Sequence, residues 1–126
     1  MGLRGRGRAR LMRRGDIYLT DFDLARTSEV TKRRPAVIVS NDGANGTAER
    51  LGTGVVTVVP VTSTTDRVYA FQIRLPASSS GLDRDSKVQA EQIRSVSIER
   101  LVRRVGSVPT DLMAELDEAL RLHLSL

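Results

Sequence analysis

At 126 residues and 13.8 kDa the chain is sized for one domain with a real core and is too short for two independent ones. Its formal charge of +5 sits almost wholly in residues 1–14, where six arginines meet no acid; the remaining 112 residues carry 14 basic against 15 acidic side chains. The absence of cysteine and the single histidine exclude disulfide frameworks, thiolate metal sites and histidine-rich ones, and no apolar run approaches the ~20 residues that span a bilayer. The expectation is a soluble cytoplasmic protein with no membrane partner and no cofactor.

Residues 1–12 read as a disordered arginine-rich extension, since Gly/Arg alternation offers no apolar surface to bury. It is either a strand of charge that touches nucleic acid or a start-site extension before Met12. Residues 13–126 form the domain. From Gly15, Ile17, Leu19 and Phe22 alternate with polar neighbours as a first strand. Asp23 to Lys32 is polar and reads as a loop, longer than the ~2–5 residues of ordinary hairpins and therefore of functional interest. Arg34 to Ser40 is a second strand, with Pro35 tolerable only near its start or on an edge. Asn41-Asp42-Gly43 and Asn45-Gly46 are turn chemistry, and the apolar run Val55 to Val61 predicts a central third strand. Tyr69 to Leu75 alternates as a half-buried strand, and Pro76 to Leu82 is a loop or short helical turn closed by glycine. Ser86 to Val96 predicts a fifth strand and Leu101 to Val105 a sixth. Thr110 is a good N-cap for a terminal helix whose Leu112, Leu116, Ala119, Leu120 and Leu124 share one stripe. Strands first and a helix last imply an α+β fold.

Chemistry gathers at strand ends. Lys32, Arg33 and Arg34 concentrate positive charge where the second strand begins, either as a solvated charge run or as an anion site. Pro35 restricts the residue before it to extended geometry, so Arg34 is held in a defined direction. Thr62 and Ser63 place hydroxyls at the exit of the third strand, as a site or as an ordinary strand-to-turn junction. His123 has no second histidine to form an acid/base pair, and the carboxylates Asp83 and Asp85 have the spacing of solvated or capping turn acids.

In their order and spacing, Arg14-Gly15-Asp16-Ile17-Tyr18, Ser28-Glu29, Arg34-Pro35, Val39-Ser40-Asn41-Asp42, Pro60-Val61-Thr62-Ser63, Arg84-Asp85-Ser86, Glu91-Gln92-Ile93-Arg94 and Leu116-Asp117-Glu118-Ala119-Leu120 carry a resemblance. The chain resembles the MazF/PemK family of toxin endoribonucleases over about residues 13–125. The resemblance implies a small SH3-like β-barrel of the MazF/PemK/CcdB type, with short helices and a C-terminal helix. It also implies a homodimer, metal-independent cleavage of single-stranded RNA at short sequence motifs, and inhibition by a cognate antitoxin. The substrate it implies is single-stranded RNA, whether messenger, ribosomal or transfer RNA. The family's essential arginine, just before a proline, falls on Arg34, and its essential threonine on Thr62.

On this reading the Arg34 guanidinium, charged at all working pH, grips the scissile phosphate, and Thr62 orients the ribose 2′-hydroxyl that attacks in line. The products are a 2′,3′-cyclic phosphate and a 5′-hydroxyl. With aromatic residues at 3%, a sheet-wide stacking platform is not expected, and the RNA-binding candidates are polar: Ser28, Glu29, Arg33, Ser63 and Gln92. The competing readings are a non-catalytic SH3-like RNA-binding module and a gyrase poison of the CcdB type. The second depends on a C-terminal tryptophan, and this chain has no tryptophan.

Overall fold

The computed structural model describes residues 11–23 and 32–126. In chain order the elements are β1 (Asp16–Asp23), β2 (Lys32–Ile38), α1 (Asp42–Leu51), β3 (Val55–Thr62), β4 (Gln72–Leu75), α2 (Ala77–Ser80), β5 (Ser86–Gln89), β6 (Arg94–Ser97), β7 (Leu101–Ser107) and α3 (Thr110–Leu124). All strand pairs are antiparallel, and the order across the sheet is β4-β5-β3-β2-β1-β7, with β6 also paired to β3. The α+β expectation holds.

β3 is the central strand because its apolar residues are buried on both faces. Val59 and Val61 join Ile17, Val37 and Val39 in one core, capped by Leu116, Ala119 and Leu120 of α3. Val56 and Val58 join Ala36, Ile38 and Val96 in a second core on the opposite face, closed by Met12 and by Ala48 of α1. Alternation along β2 and β3 therefore defines two faces, and every later statement about the site follows from which face a residue takes.

The expected continuous strand from Ser86 to Val96 is broken in two. β5 pairs with β3 as Thr62↔Lys87, while β6 pairs as Val58↔Arg94. These two registers differ by three residues, and the three extra residues leave the ladder as the 3-10 turn Ala90–Gln92. Pro60 lies between the two segments, where β3 has passed β6 and not yet met β5. Its missing N–H costs no ladder bond there.

The closed barrel is corrected as well. β4 and β7 end the sheet and do not pair with each other. Between them α2 and its cap press directly on β7: a Cβ built on Gly106 would lie 2.0 Å from the Ser80 carbonyl oxygen, and one on Gly81 would lie 3.2 Å from the Val105 carbonyl. Gly81 takes φ +90°, open to glycine at no steric cost, as the chain leaves α2 for β5. The gap is thus filled by backbone packing, with α3 over β4, and not by a ladder.

The turn expected at Asn41 to Gly46 is the first half of α1. The Asn41 side chain accepts from the Ala44 N–H (2.8 Å), a helix N-cap, and Asn45 is fully buried. The Asn45 amide donates to the Ser40 carbonyl (2.9 Å), the Ser40 hydroxyl donates back to Asn45 Oδ1 (2.5 Å), and the same hydroxyl accepts from the Thr57 N–H (3.0 Å). What looked like turn chemistry ties α1 to β3. At the other end Thr110 is the first helical residue and Pro109 takes the cap position without a side-chain bond. Leu124 lies outside the buried stripe, 44% exposed.

Candidate functional site

The pairing of β2 with β3 runs Ile38↔Val58, Val37↔Val59, Ala36↔Pro60 and then stops. The Val39 N–H donates to the Thr57 carbonyl (2.9 Å), which makes the odd-numbered β2 residues the ones that bond to β3. Two residues beyond Val37 the next such donor would be Pro35, which has none. Continuing the same register two steps past Ala36↔Pro60 sets Arg34 opposite Thr62. Directly opposed residues share a sheet face, so both belong to the face of Ala36, Ile38, Val56 and Val58.

Around that pair the sheet supplies further polar groups. Thr20 of β1 lies across from Arg34, buried, its hydroxyl donating to the Tyr18 carbonyl (2.9 Å). On the other side of β3, Lys87 lies opposite Thr62, 8% exposed, and its Nζ donates to the Arg67 carbonyl (2.6 Å). Arg34 is exposed and Thr62 half-buried. The Thr62 hydroxyl oxygen accepts from the Thr64 N–H (3.2 Å), which holds the side chain at the strand's exit and leaves its proton free to donate elsewhere. Arg94, opposite Val58, sets its guanidinium 5.1 Å from the Phe22 ring centroid on the same face.

A cavity of about 540 Å³ opens beside Thr62 and Ser63, with Leu19, Pro35, Val61 and Leu82 as its apolar wall. Arg84 and Arg103 stand exposed at its lining; Arg104 also lines it but is committed to buried Asp16 at 3.2 Å. Arg34 lies outside this lining, because Leu19, Pro35 and Val61 belong to the other sheet face. Thr62 stands at the rim between the cavity and the Arg34 face.

Of the remaining sequence candidates, Arg33 is exposed and sits across from Asp21, Ser63 is exposed after β3, and Gln92 is exposed in the 3-10 turn. Ser28 and Glu29 lie outside the described residues. Asp85 accepts from the Ala77 N–H (2.8 Å), the capping one of the two roles its spacing left open. Lys87, Gln72 and Tyr69 were not singled out by sequence. Their relation to Thr62 exists only through the β3–β5 and β4–β5 registers. Among the described residues no three of His, Cys, Asp or Glu cluster so as to hold a metal ion, and no helix is long and apolar enough to cross a membrane.

Comparison with known proteins agrees with the fold. Residues 13–124 match the family described as "PemK-like, MazF-like toxin of type II toxin-antitoxin system". The chain is 59% identical over 116 residues to Endoribonuclease MazF9 of Mycobacterium tuberculosis, covering 92% of this chain and 98% of that protein. It is 36% identical over 113 residues to Endoribonuclease MazF6 of the same species, covering 90% and 96%. Among solved structures, the MazE-MazF Form-II crystal structure from Deinococcus radiodurans superposes with a TM-score of 0.75 at 27% identity, covering 94% of this chain and 99% of that one. A mycobacterial endoribonuclease in complex with its cognate antitoxin superposes with a TM-score of 0.70 at 26% identity, covering 91% and 96%. With the family matched over nearly the whole described domain and a relative at 59% identity along its length, the chain belongs to the PemK-like, MazF-like toxins of type II toxin-antitoxin systems.

Proposed function

We propose that this toxin is a sequence-specific endoribonuclease that cuts single-stranded RNA with Arg34 and Thr62, without a metal ion. The observation that carries the reading is the β2–β3 register, whose continuation brings a guanidinium and a hydroxyl to one sheet face where the ladder has ended. A guanidinium offers a planar fork to the non-bridging phosphate oxygens and stabilises the charge that builds on a pentavalent phosphorus. The Thr62 hydroxyl orients the ribose 2′-hydroxyl for in-line attack; the 2′-oxygen to phosphorus bond forms as the bond to the 5′-oxygen breaks, the 2′-hydroxyl proton leaving to solvent and the departing 5′-oxygen taking one from the Arg34 guanidinium, which solvent then reprotonates. A 2′,3′-cyclic phosphate and a 5′-hydroxyl are left. Lys87 adds positive charge beside the pair, Arg33 adds it from the opposite sheet face at the start of β2, and Ser28, Glu29, Ser63 and Gln92 read bases.

The protein acts as a cytoplasmic homodimer, and a cognate antitoxin inhibits it by occupying the cationic face. The toxin-antitoxin family and the similar antitoxin-bound structure support the antitoxin, whereas the dimer rests on the MazF/PemK resemblance of the sequence alone. The test is cleavage of a long defined transcript in the presence of chelator, with end groups determined. Cutting at a short motif with cyclic phosphate ends is expected. A single 2′-deoxy substitution at the cut nucleotide should abolish that cut, because the nucleophile is gone. Loss of activity under chelator, or cutting across the 2′-deoxy position, overturns the mechanism.

A further inference from the structure

We propose that Tyr69 is a base-stacking residue of the RNA site, with Arg67 and Lys87 as the cations that meet the adjoining phosphates; the proposal rests on Arg34 and Thr62 being the cleavage pair. The whole chain holds two tyrosines and two phenylalanines, and two of these four form one stack here. Tyr69 and Phe71 lie parallel, with centroids 5.4 Å apart and planes 3° apart, and Tyr69 keeps 44% of its surface exposed. Phe71 covers one ring face, and a planar base extends the stack by taking the place of the exposed Arg67 guanidinium, which lies over the ring and swings aside to the adjoining phosphate.

Both cations sit at this ring. The Arg67 guanidinium is 5.7 Å from the Tyr69 centroid and its Nη1 reaches the Tyr69 hydroxyl (3.4 Å). Lys87 Nζ is also 5.7 Å from the centroid. That ammonium gives one donor to the Arg67 carbonyl, and an ammonium has three. Since Lys87 lies opposite Thr62 in the β3–β5 ladder, the platform is one strand away from the proposed nucleophile-orienting hydroxyl. An aromatic ring with two cations within reach of it offers partners for a base and its adjoining phosphate together, which favours RNA over an acidic protein segment as its occupant.

The platform is also fixed in advance. The Tyr69 N–H donates to Gln72 Oε1 (3.1 Å), the Gln72 N–H donates to the Tyr69 carbonyl (2.9 Å), and Gln72 Nε2 donates to Glu91 Oε2 (2.8 Å). Gln72 is itself 7% exposed, so the loop that presents Tyr69 is clamped to buried side chains and loses little freedom when RNA arrives. Every base has a π face, so Tyr69 supplies affinity and register more than sequence preference.

The probe is a pool of random, fully 2′-O-methylated decamers, which cannot be cut through the 2′-hydroxyl; cleavage of a defined transcript is followed in parallel. Stacking one base on an aromatic side chain changes affinity by about 5- to 150-fold. Tyr69→Ala is therefore expected to weaken decamer binding at least about fivefold and to raise KM by a similar factor at unchanged kcat. Tyr69→Phe, which keeps the ring and loses the hydroxyl, should restore both, and the melting temperature of either variant should match the parent. Thr62→Ala should bind decamers normally while cleavage is lost, so failure of the catalytic assignment shows as an active Thr62→Ala and leaves the binding comparison readable. Unchanged decamer affinity in Tyr69→Ala overturns the proposal. So does a Tyr69→Phe as weak as Tyr69→Ala, which would assign the effect to the hydroxyl, or a loss confined to antitoxin binding.

Discussion

Alanine at Arg34 and at Thr62, singly and together, tests whether the two side chains act on one phosphodiester. Removing one preorganised donor from a developing charge costs about 10²–10³ in rate, about 2.7–4 kcal/mol of transition-state stabilisation. Independent sites would multiply to about 10⁴–10⁶ in the double variant, whereas groups that act as a unit give a double variant within about tenfold of the worse single one. The register predicts the second outcome, since its continuation puts the residues directly opposite each other on one face. Neither change should threaten the fold. Arg34 is exposed, and Thr62 loses one bond from the Thr64 N–H in an exposed turn, about 0.5–1.5 kcal/mol at most. Single-turnover cleavage of a defined RNA under chelator gives the rates, and thermal melting confirms folding. Thr62→Ser, which keeps the hydroxyl, should retain most of the rate. A double variant slowed by the full product of the singles would refute the shared-phosphate reasoning even if each residue proved essential.

Three further substitutions probe what holds the site in place. Gly106→Ala should lower the melting temperature by several degrees, since its Cβ would meet the Ser80 carbonyl oxygen at 2.0 Å and overpacking of this kind costs about 1–3 kcal/mol or more; an unchanged melt would mean α2 does not bear on β7. Asn45→Ala should cost about 2–3 kcal/mol in denaturant unfolding, because the Ser40 carbonyl loses its buried donor. The Arg14 N–H bonded to Asp42 (2.6 Å), together with the Asn45 amide and the nearby Arg13 and Arg14 charges, holds the Asp42 carboxyl below its ordinary value of 3.8. A lowered native pKa stabilises the fold above the ordinary value and stops doing so as the pH falls through the lowered one. The stability gap between the parent and Asp42→Asn should therefore be full at neutral pH and shrink in acid, and a gap that grows in acid would reverse the assignment.

Much of the sheet was legible because burial follows alternation: Ile17, Val37, Val59 and Leu116 are core residues where the periodic pattern says they should be. Arg34-Pro35 and Thr62 stood out through the proline's restriction of its neighbour and the hydroxyls at a strand exit, but a solvated charge run and an ordinary strand-to-turn junction fitted the same residues, and it was the resemblance to the MazF/PemK family that singled the two out. What could not be read is whatever depends on register between distant segments. α1 was hidden by Asn45 and Gly46, whose local preference for a turn is overridden by a buried hydrogen-bond hub reaching Ser40 and Thr57. The break at Ala90–Gln92 follows from a three-residue mismatch between two pairings of β3, a quantity absent from any local window. Lys87 and Tyr69 lie 18 residues apart in sequence and meet only through a sheet edge, so composition argued against a stacking site that the fold assembles from two of its few aromatic rings.

Pro35 connects fold and chemistry most directly. β2 is flanked by β1 and β3, a place where proline ordinarily costs a ladder bond. Here it sits at the first position where the ladder to β3 would have continued, and the pairing ends one residue before it. The missing N–H therefore keeps the strands from zipping further toward Arg34 and Thr62, and the ring keeps Arg34 extended. Pro35→Ala returns a donor facing the Val61 carbonyl and releases the restriction on Arg34 at once. The expected result is a protein of similar stability, because a gained bond of about 0.5–1.5 kcal/mol is offset by about 0.4–1 kcal/mol of lost chain stiffness. Its cleavage rate should nevertheless fall, with kcat affected more than KM, since a misaimed guanidinium still attracts RNA but grips the transition state poorly. Hydrogen exchange at the residue 35 amide reports whether the new bond forms. A Pro35→Ala variant with a protected amide and an unchanged kcat would show that the end of the ladder is incidental to catalysis.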